Sequence, residues 1–139
     1  AIIWLLRGEQ NNMDKEEYLY ETGEVYYVDF PYEEKDGKSK QRPVLVILEK
    51  NDDGNIKCAK ITGSTNRKKQ YDFVLKDREH VGLDKESLVE LNRIELVNEK
   101  EFFKKIGEIS DDDLETMFTN LEAMAKGANK KWHQEEKIY

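Results

Sequence analysis

Arg42 and Pro43 stand at the mouth of VLVIL, residues 44–48, an apolar and mostly β-branched run that reads as a buried strand. Proline fits a strand's first residue, where its missing N–H matters least, and it pushes the residue before it into an extended conformation. Arg42 is therefore held stiffly at a sheet rim. The plain alternative is a solvated arginine with its stem along the sheet edge; its surroundings give the guanidinium a chemical reading. NDDGN, residues 51–55, supplies Asp and Gly that tolerate the positive φ of a tight hairpin turn, and IKCAKIT at 56–62 is the returning strand. Residues equidistant from the turn face each other, so Arg42 falls opposite residues 61–64, bringing the hydroxyls of Thr62 and Ser64 to the same rim. Lys38, Lys40, Lys60, Arg67 and Lys68 converge there as well. The result is a cationic, hydroxyl-lined edge suited to holding an anion.

Charge supports a local rather than a general attraction. The chain carries a net charge of −7, against indiscriminate binding of nucleic acid, which depends largely on Lys and Arg. Residues 35–42 nevertheless hold four basic groups and one acid, and residues 57–70 hold five basic groups and no acid. Such segments can hold an anionic substrate locally while the rest repels it. Other chemistries find no motif: Walker loop, dinucleotide turn, GxSxG elbow and zinc spacing are all missing from the sequence, and its two histidines, His80 and His133, have no triad partners. The single Cys58 cannot form an internal disulfide. No metal ligand set and no cofactor is expected.

The elements that must position this rim are mainly strands. At 139 residues, 37% hydrophobic and 38% charged, the chain suits one soluble domain, and no apolar run approaches the roughly 20 residues that cross a bilayer. No membrane association is expected, and the cytoplasm is the default location. Strands are predicted at 24–30, 44–49, 56–62, 71–76, 87–91, 93–97 and 104–109, the last able to close the sheet. One helix follows: Ser110 with Asp113 resembles a capping box, Asp111 and Asp112 favour the positive end of the helix dipole, and Gly127 is placed to terminate it. The triple Asp is thus a helix start. Leu114, Met117, Phe118, Leu121 and Met124 form the face that should dock on the sheet. Residues 1–22 are expected to be an N-terminal extension, with Met13 a natural start and residues 1–12 an appended leader; 23–127 form the folded domain, and 128–139 a polar tail.

GEVYYVDFP, QRPVLVIL, AKITGS, GLDKESLVELNRI and KKIGEISDDDLETM, in that order, resemble the successive blocks of the MazF/PemK family of toxin endoribonucleases. The resemblance spans Gly23 to about Leu121. It implies an SH3-like small barrel with a C-terminal α-helix packed on it, a homodimer, a cognate antitoxin partner, and metal-independent cleavage of single-stranded RNA. The family's catalytic arginine stands in an RP motif matching Arg42, and its catalytic Thr or Ser after the third strand matches Thr62. Lys38, Lys40, Ser64, Arg67 and Lys68 are the expected substrate-binding groups. Two positions depart: Gly63 replaces a common small polar residue, and Asn92 stands where Gln is frequent. The competing function is a non-catalytic SH3-like module that grips RNA or a peptide without cutting. The general base is not evident; Glu33, Glu34 and Asp36, in the loop before Arg42, are its candidates.

Overall fold

The computed structural model describes residues 18–30 and 40–136, and of Phe30, Lys40 and residues 129–136 the backbone alone. Residues 1–12, Met13, Lys38, Glu33, Glu34 and Asp36 lie outside the described residues. Six strands, β1 (Glu24–Phe30), β2 (Lys40–Leu48), β3 (Asn55–Thr62), β4 (Phe73–Val74), β5 (Leu88–Asn98) and β6 (Phe102–Glu108), form one antiparallel sheet in the order β4-β5-β3-β2-β1-β6. A one-turn helix, α1 (Arg78–Val81), lies between β4 and β5, and the long α2 (Asp111–Glu136) follows β6. The fold is mainly β with a C-terminal helix, as expected. Its sheet is not closed, however, so it is a barrel only loosely: β4 and β6 are both edges. Helix α1 packs against β6 instead, so closely that a Cβ on Gly107 would run into the Val81 carbonyl.

Alternation along the strands builds two cores. On β2, Val44 and Val46 join Tyr26, Val28, Ile56 and Cys58 on one face, while Leu45 and Ile47 join Val25, Ala59 and Ile61 on the other. Burial on both faces explains why the sequence here is a continuous apolar run rather than a polar–apolar alternation. Tyr20 and Phe102, edge to face with centroids 4.9 Å apart, cover the first core. Met117, Leu114, Leu121 and Met124 of α2 cover the second. Phe118 departs from expectation and stands 52% exposed. A helix turns about 100° per residue, which carries Phe118 away from the fully buried Met117.

The hairpin turn forms as predicted: Asn51 Oδ1 accepts the N–H groups of Asp53 and Asn55 at 3.0 and 2.9 Å, and Gly54 takes φ +78°. Several element boundaries differ. β2 begins at Lys40 rather than at Val44, so Pro43 is not a strand's first residue: Arg42 and Pro43 lie within β2, paired with Val28 and Tyr27. The two strands predicted at 87–91 and 93–97 are one bent strand, β5, whose pairing jumps from Ala59↔Ile94 to Lys60↔Glu90. That irregularity sets the Asn92 N–H and side-chain amide on Asp72 Oδ1, at 3.2 and 3.3 Å. The strand expected over 71–76 shortens to two residues, because Tyr71 adopts φ +75° and the buried Asp72 carboxylate also accepts the Lys69 N–H. Finally, α2 does not stop at Gly127 but runs to Glu136, through most of the expected tail. Gly127 is small for a packing reason: a Cβ there would meet the Tyr71 hydroxyl at 3.1 Å. A glycine inside a helix costs only about 1 kcal/mol against alanine, so neighbouring turns carry it.

Candidate functional site

The hairpin register decides what meets Arg42. Val44 pairs with Lys60 and Thr62 with Leu88, so two residues further along β2 Arg42 stands level with Thr62. On its other side Arg42 pairs with Val28. Both residues are partly buried, and both line a cleft of about 510 Å³ at the rim of the sheet. Tyr27, Pro43, Ile61 and Leu83 contribute its apolar surface, while Asp84, Lys85 and Glu86 are its exposed charged residues. Thr62 Oγ1 accepts the Ser64 N–H at 3.2 Å, and the chain then tightens into a 3-10 turn at Thr65–Arg67. Thr62 is thereby oriented by the turn that ends its own strand.

Of the other predicted binding residues, those whose side chains are described do not gather at the cleft. Ser64, Arg67 and Lys68 are exposed on the turn and do not line it. Lys40 opens β2 opposite Phe30, and only its backbone is described. Lys60 is buried and ion-paired to Glu95 at 3.9 Å, so it belongs to the sheet rather than to the rim. Among the described lining residues, the cations are Arg42 and Lys85.

Sequence reasoning missed residues 83–87 as a wall of the site. This segment is well held. Gly82, in the left-handed region at φ +103°, closes α1, the Leu83 N–H reaches the Arg78 carbonyl at 3.0 Å, and the Leu75 N–H reaches the Ser87 carbonyl at 2.9 Å. The signal was the Thr62↔Leu88 pairing: residues just before Leu88 must project at the rim where Thr62 ends its strand. Reading it required knowing that β3 pairs with β5 and skips β4. Gly63 faces this wall, and a Cβ there would approach nothing nearer than the Glu86 carbonyl at 4.0 Å. The glycine is therefore not demanded by packing.

A second cleft, of about 580 Å³, lies where α2 begins and holds His80, Asp77, Glu108, Asp111 and Asp112. His80, Glu108, Asp111 and Asp112 are exposed there, while Ser110 and the adjoining Asp113 serve the backbone. Ser110 Oγ accepts the Asp113 N–H at 3.2 Å and donates to Asp77 at 2.7 Å. The buried Asp113 carboxylate accepts the N–H groups of Lys76 and Asp77 at 2.9 and 3.0 Å. The helix start read from the triple Asp is present, with Asp113 tying it to the segment before α1. Among the described residues no three His, Cys, Asp or Glu side chains gather to hold a metal ion, and no helix is long and apolar enough to cross a membrane. Burial pushes the Cys58 thiol pKa well up, away from reactive thiolate chemistry.

The fold recurs in solved toxins. A mycobacterial endoribonuclease in complex with its cognate antitoxin is 19% identical, with 76% of this chain and 93% of that one covered at a TM-score of 0.58. MazF from Deinococcus radiodurans is 15% identical, with 79% and 99% covered at a TM-score of 0.62. The Mycobacterium tuberculosis toxin MazF-mt6 is 16% identical, with 70% and 90% covered at 0.54. At these identities the likeness establishes the fold. The family model for the PemK-like, MazF-like toxin of type II toxin-antitoxin systems matches residues 21–125, spanning Arg42, Thr62 and the 83–87 wall. The chain belongs to the PemK-like, MazF-like toxin family.

Proposed function

We propose that this chain is a toxin endoribonuclease that cleaves single-stranded RNA without a metal ion. The observation that carries the reading is the meeting of Arg42 and Thr62 at one cleft within a fold of this family. RNA supplies its own nucleophile: the 2′-oxygen attacks the adjacent phosphorus, its proton is lost, the bond to the 5′-oxygen breaks, and that oxygen takes up a proton. The products are a 2′,3′-cyclic phosphate and a 5′-hydroxyl. The protein must then position the phosphodiester and stabilise charge developing on its oxygens. Arg42 offers a permanently protonated fork of N–H donors matched to two such oxygens. Thr62, its hydroxyl oriented by the following turn, holds a phosphate oxygen or the attacking hydroxyl.

The antitoxin in this reading is an extended acidic and apolar segment laid across the Arg42 rim, which it blocks. The toxin acts as a homodimer, whose pairing covers sheet edges left by the open β4-to-β6 order. The test is a single-turnover assay on a long single-stranded RNA, with and without EDTA. Discrete fragments ending in cyclic phosphate, formed equally in EDTA, support the proposal. Bound but intact RNA identifies a non-catalytic module, and activity restored to EDTA-treated protein by magnesium overturns the metal-free mechanism.

A further inference from the structure

One wall of the Arg42 cleft has a feature that phosphate chemistry leaves unused. Tyr27, which lines the cleft, stacks on Phe103 with ring planes 20° apart and centroids at 6.1 Å. The contact comes from an irregularity in the β1–β6 ladder. Tyr27 pairs with Lys104 and Val28 with Phe102, so Phe103 is the extra residue of a bulge. Bulges re-aim side chains, and this one sets a phenyl ring beside Tyr27, leaving Phe103 42% exposed. Phe102 on one side of it is fully buried in the core, and Lys104 on the other is exposed.

We infer that the Tyr27–Phe103 step and the adjoining cleft form a nucleobase-binding subsite, which stacks one base of a single-stranded RNA and so sets which phosphate lies on Arg42. The inference rests on the proposed RNA reading and deepens it. Flat aromatic rings beside lysines are the usual means of holding unpaired bases, because every base offers a π-face and the lysines follow the backbone. Lys104 and Lys85 flank the step and the cleft respectively. The acids that share the cleft argue for a base rather than for an apolar side chain of a protein partner. An aliphatic group seated here would strip water from Asp84 and Glu86 without offering them a hydrogen bond. A base has an apolar face for Tyr27 and N–H donors on its edge for those carboxylates.

Binding of a fluorescently labelled octamer of 2′-O-methyl RNA tests this, because methylation removes the nucleophile and separates binding from cleavage. Each base in turn is replaced by an abasic site. For the wild type, one position is expected to stand out, its loss weakening binding about tenfold or more. Tyr27→Ala should weaken the intact octamer similarly and flatten the scan, since the contact is already missing, whereas Tyr27→Phe should keep both affinity and profile. If Tyr27→Ala fails to fold by circular dichroism, Phe103→Ala, at an exposed position, carries the test with an expected several-fold loss and a shallower profile. Wild-type protein that cleaves RNA but gives a flat scan overturns the subsite and leaves the proposed function standing. Protein that neither binds nor cleaves RNA overturns both. A Tyr27→Ala protein that loses a cognate antitoxin while binding RNA normally assigns the step to a protein partner and overturns the inference.

Discussion

The two clefts differ little in size, about 510 Å³ beside Arg42 and 580 Å³ at the start of α2, and both contain acids and at least one base. Both carry exposed charged residues, Glu108, Asp111 and Asp112 at one and residues 84–86 at the other; what separates them is the hydrogen-bond network beside the α2 cleft. At the α2 start, Ser110 and the neighbouring Asp113 are engaged with Asp77 and with part-buried backbone N–H groups of Lys76, Asp77 and Asp113. Beside Arg42, the charged residues 84–86 are exposed, on a segment fixed at both ends by backbone hydrogen bonds. Cleft volume therefore says little about function in this molecule. The informative contrast is between polar groups that complete the fold and polar groups presented by a fold already complete. Mutations should divide the same way, with activity lost at one cleft and stability at the other.

Arg42→Ala is the largest expected effect. Losing one preorganised donor to the developing charge costs on the order of a hundredfold in rate, while the strand core of Val44, Leu45 and Val46 is untouched. Arg42→Lys should recover only part of the loss, because an ammonium cannot reproduce the planar fork. Single-turnover cleavage paired with a thermal melt checks this. A folded Arg42→Ala protein cutting at the wild-type rate would break the contrast at its stronger end.

At the α2 start the expected pattern is the reverse. Asp113→Ala leaves two N–H acceptor positions empty, those facing Lys76 and Asp77, and should cost about 2–3 kcal/mol of stability. Cleavage per folded molecule should stay at the wild-type level. Ser110→Ala removes the N-cap of α2 and should cost about 1 kcal/mol. Urea unfolding curves at constant m-value give both numbers. Loss of activity without loss of stability in either variant would mean that the second cleft takes part in function.

Legibility in the sequence followed the range of the interactions. The 51–55 turn, β1, β3 and the α2 start rest on local chemistry: Asn51 and Gly54 in the turn, alternation along the strands, Ser110 at the cap. The meeting of Arg42 with Thr62 was legible to within a residue or two, since the turn position sets a hairpin's register but an irregularity between Val46 and Leu48 shifts it by one. The 83–87 wall was not, because it depends on β5 pairing with β3 rather than with β4, its neighbour in the chain. The end of α2 misled for a related reason. Gly127 has the composition of a helix stop, yet its smallness answers to Tyr71, 56 positions earlier in the chain and held at φ +75°. The dispersal of Lys60 and Lys68 shows the same limit, as charge counted along a segment does not say which side of a strand or turn carries it.

The smallest expected effect concerns pH, and it tests the fold-completing class of carboxylates at a third place. Glu24 is 4% exposed, accepts the Tyr26 hydroxyl at 2.8 Å and the Glu21 N–H at 2.7 Å, and is ion-paired with Lys105. Burial alone would raise its pKa, but hydrogen bonds from Lys105, Tyr26 and the Glu21 backbone, with the Lys105 charge, outweigh burial and hold it below its ordinary 4.5. A folded-state pKa below the unfolded one means that the unfolded chain binds the proton more readily. The stabilisation is then complete above about pH 4.5 and is lost as pH falls toward the folded-state value. Glu24→Gln cannot ionise, although its amide oxygen can still accept from Tyr26. The variant should therefore melt below wild type at pH 7, and the gap should narrow as pH drops below 4.5. Melting curves at pH 7, 5, 4 and 3 follow this directly. A gap that stays constant with pH would show that Glu24 stabilises the fold by shape and neutral hydrogen bonding, with no contribution from its charge.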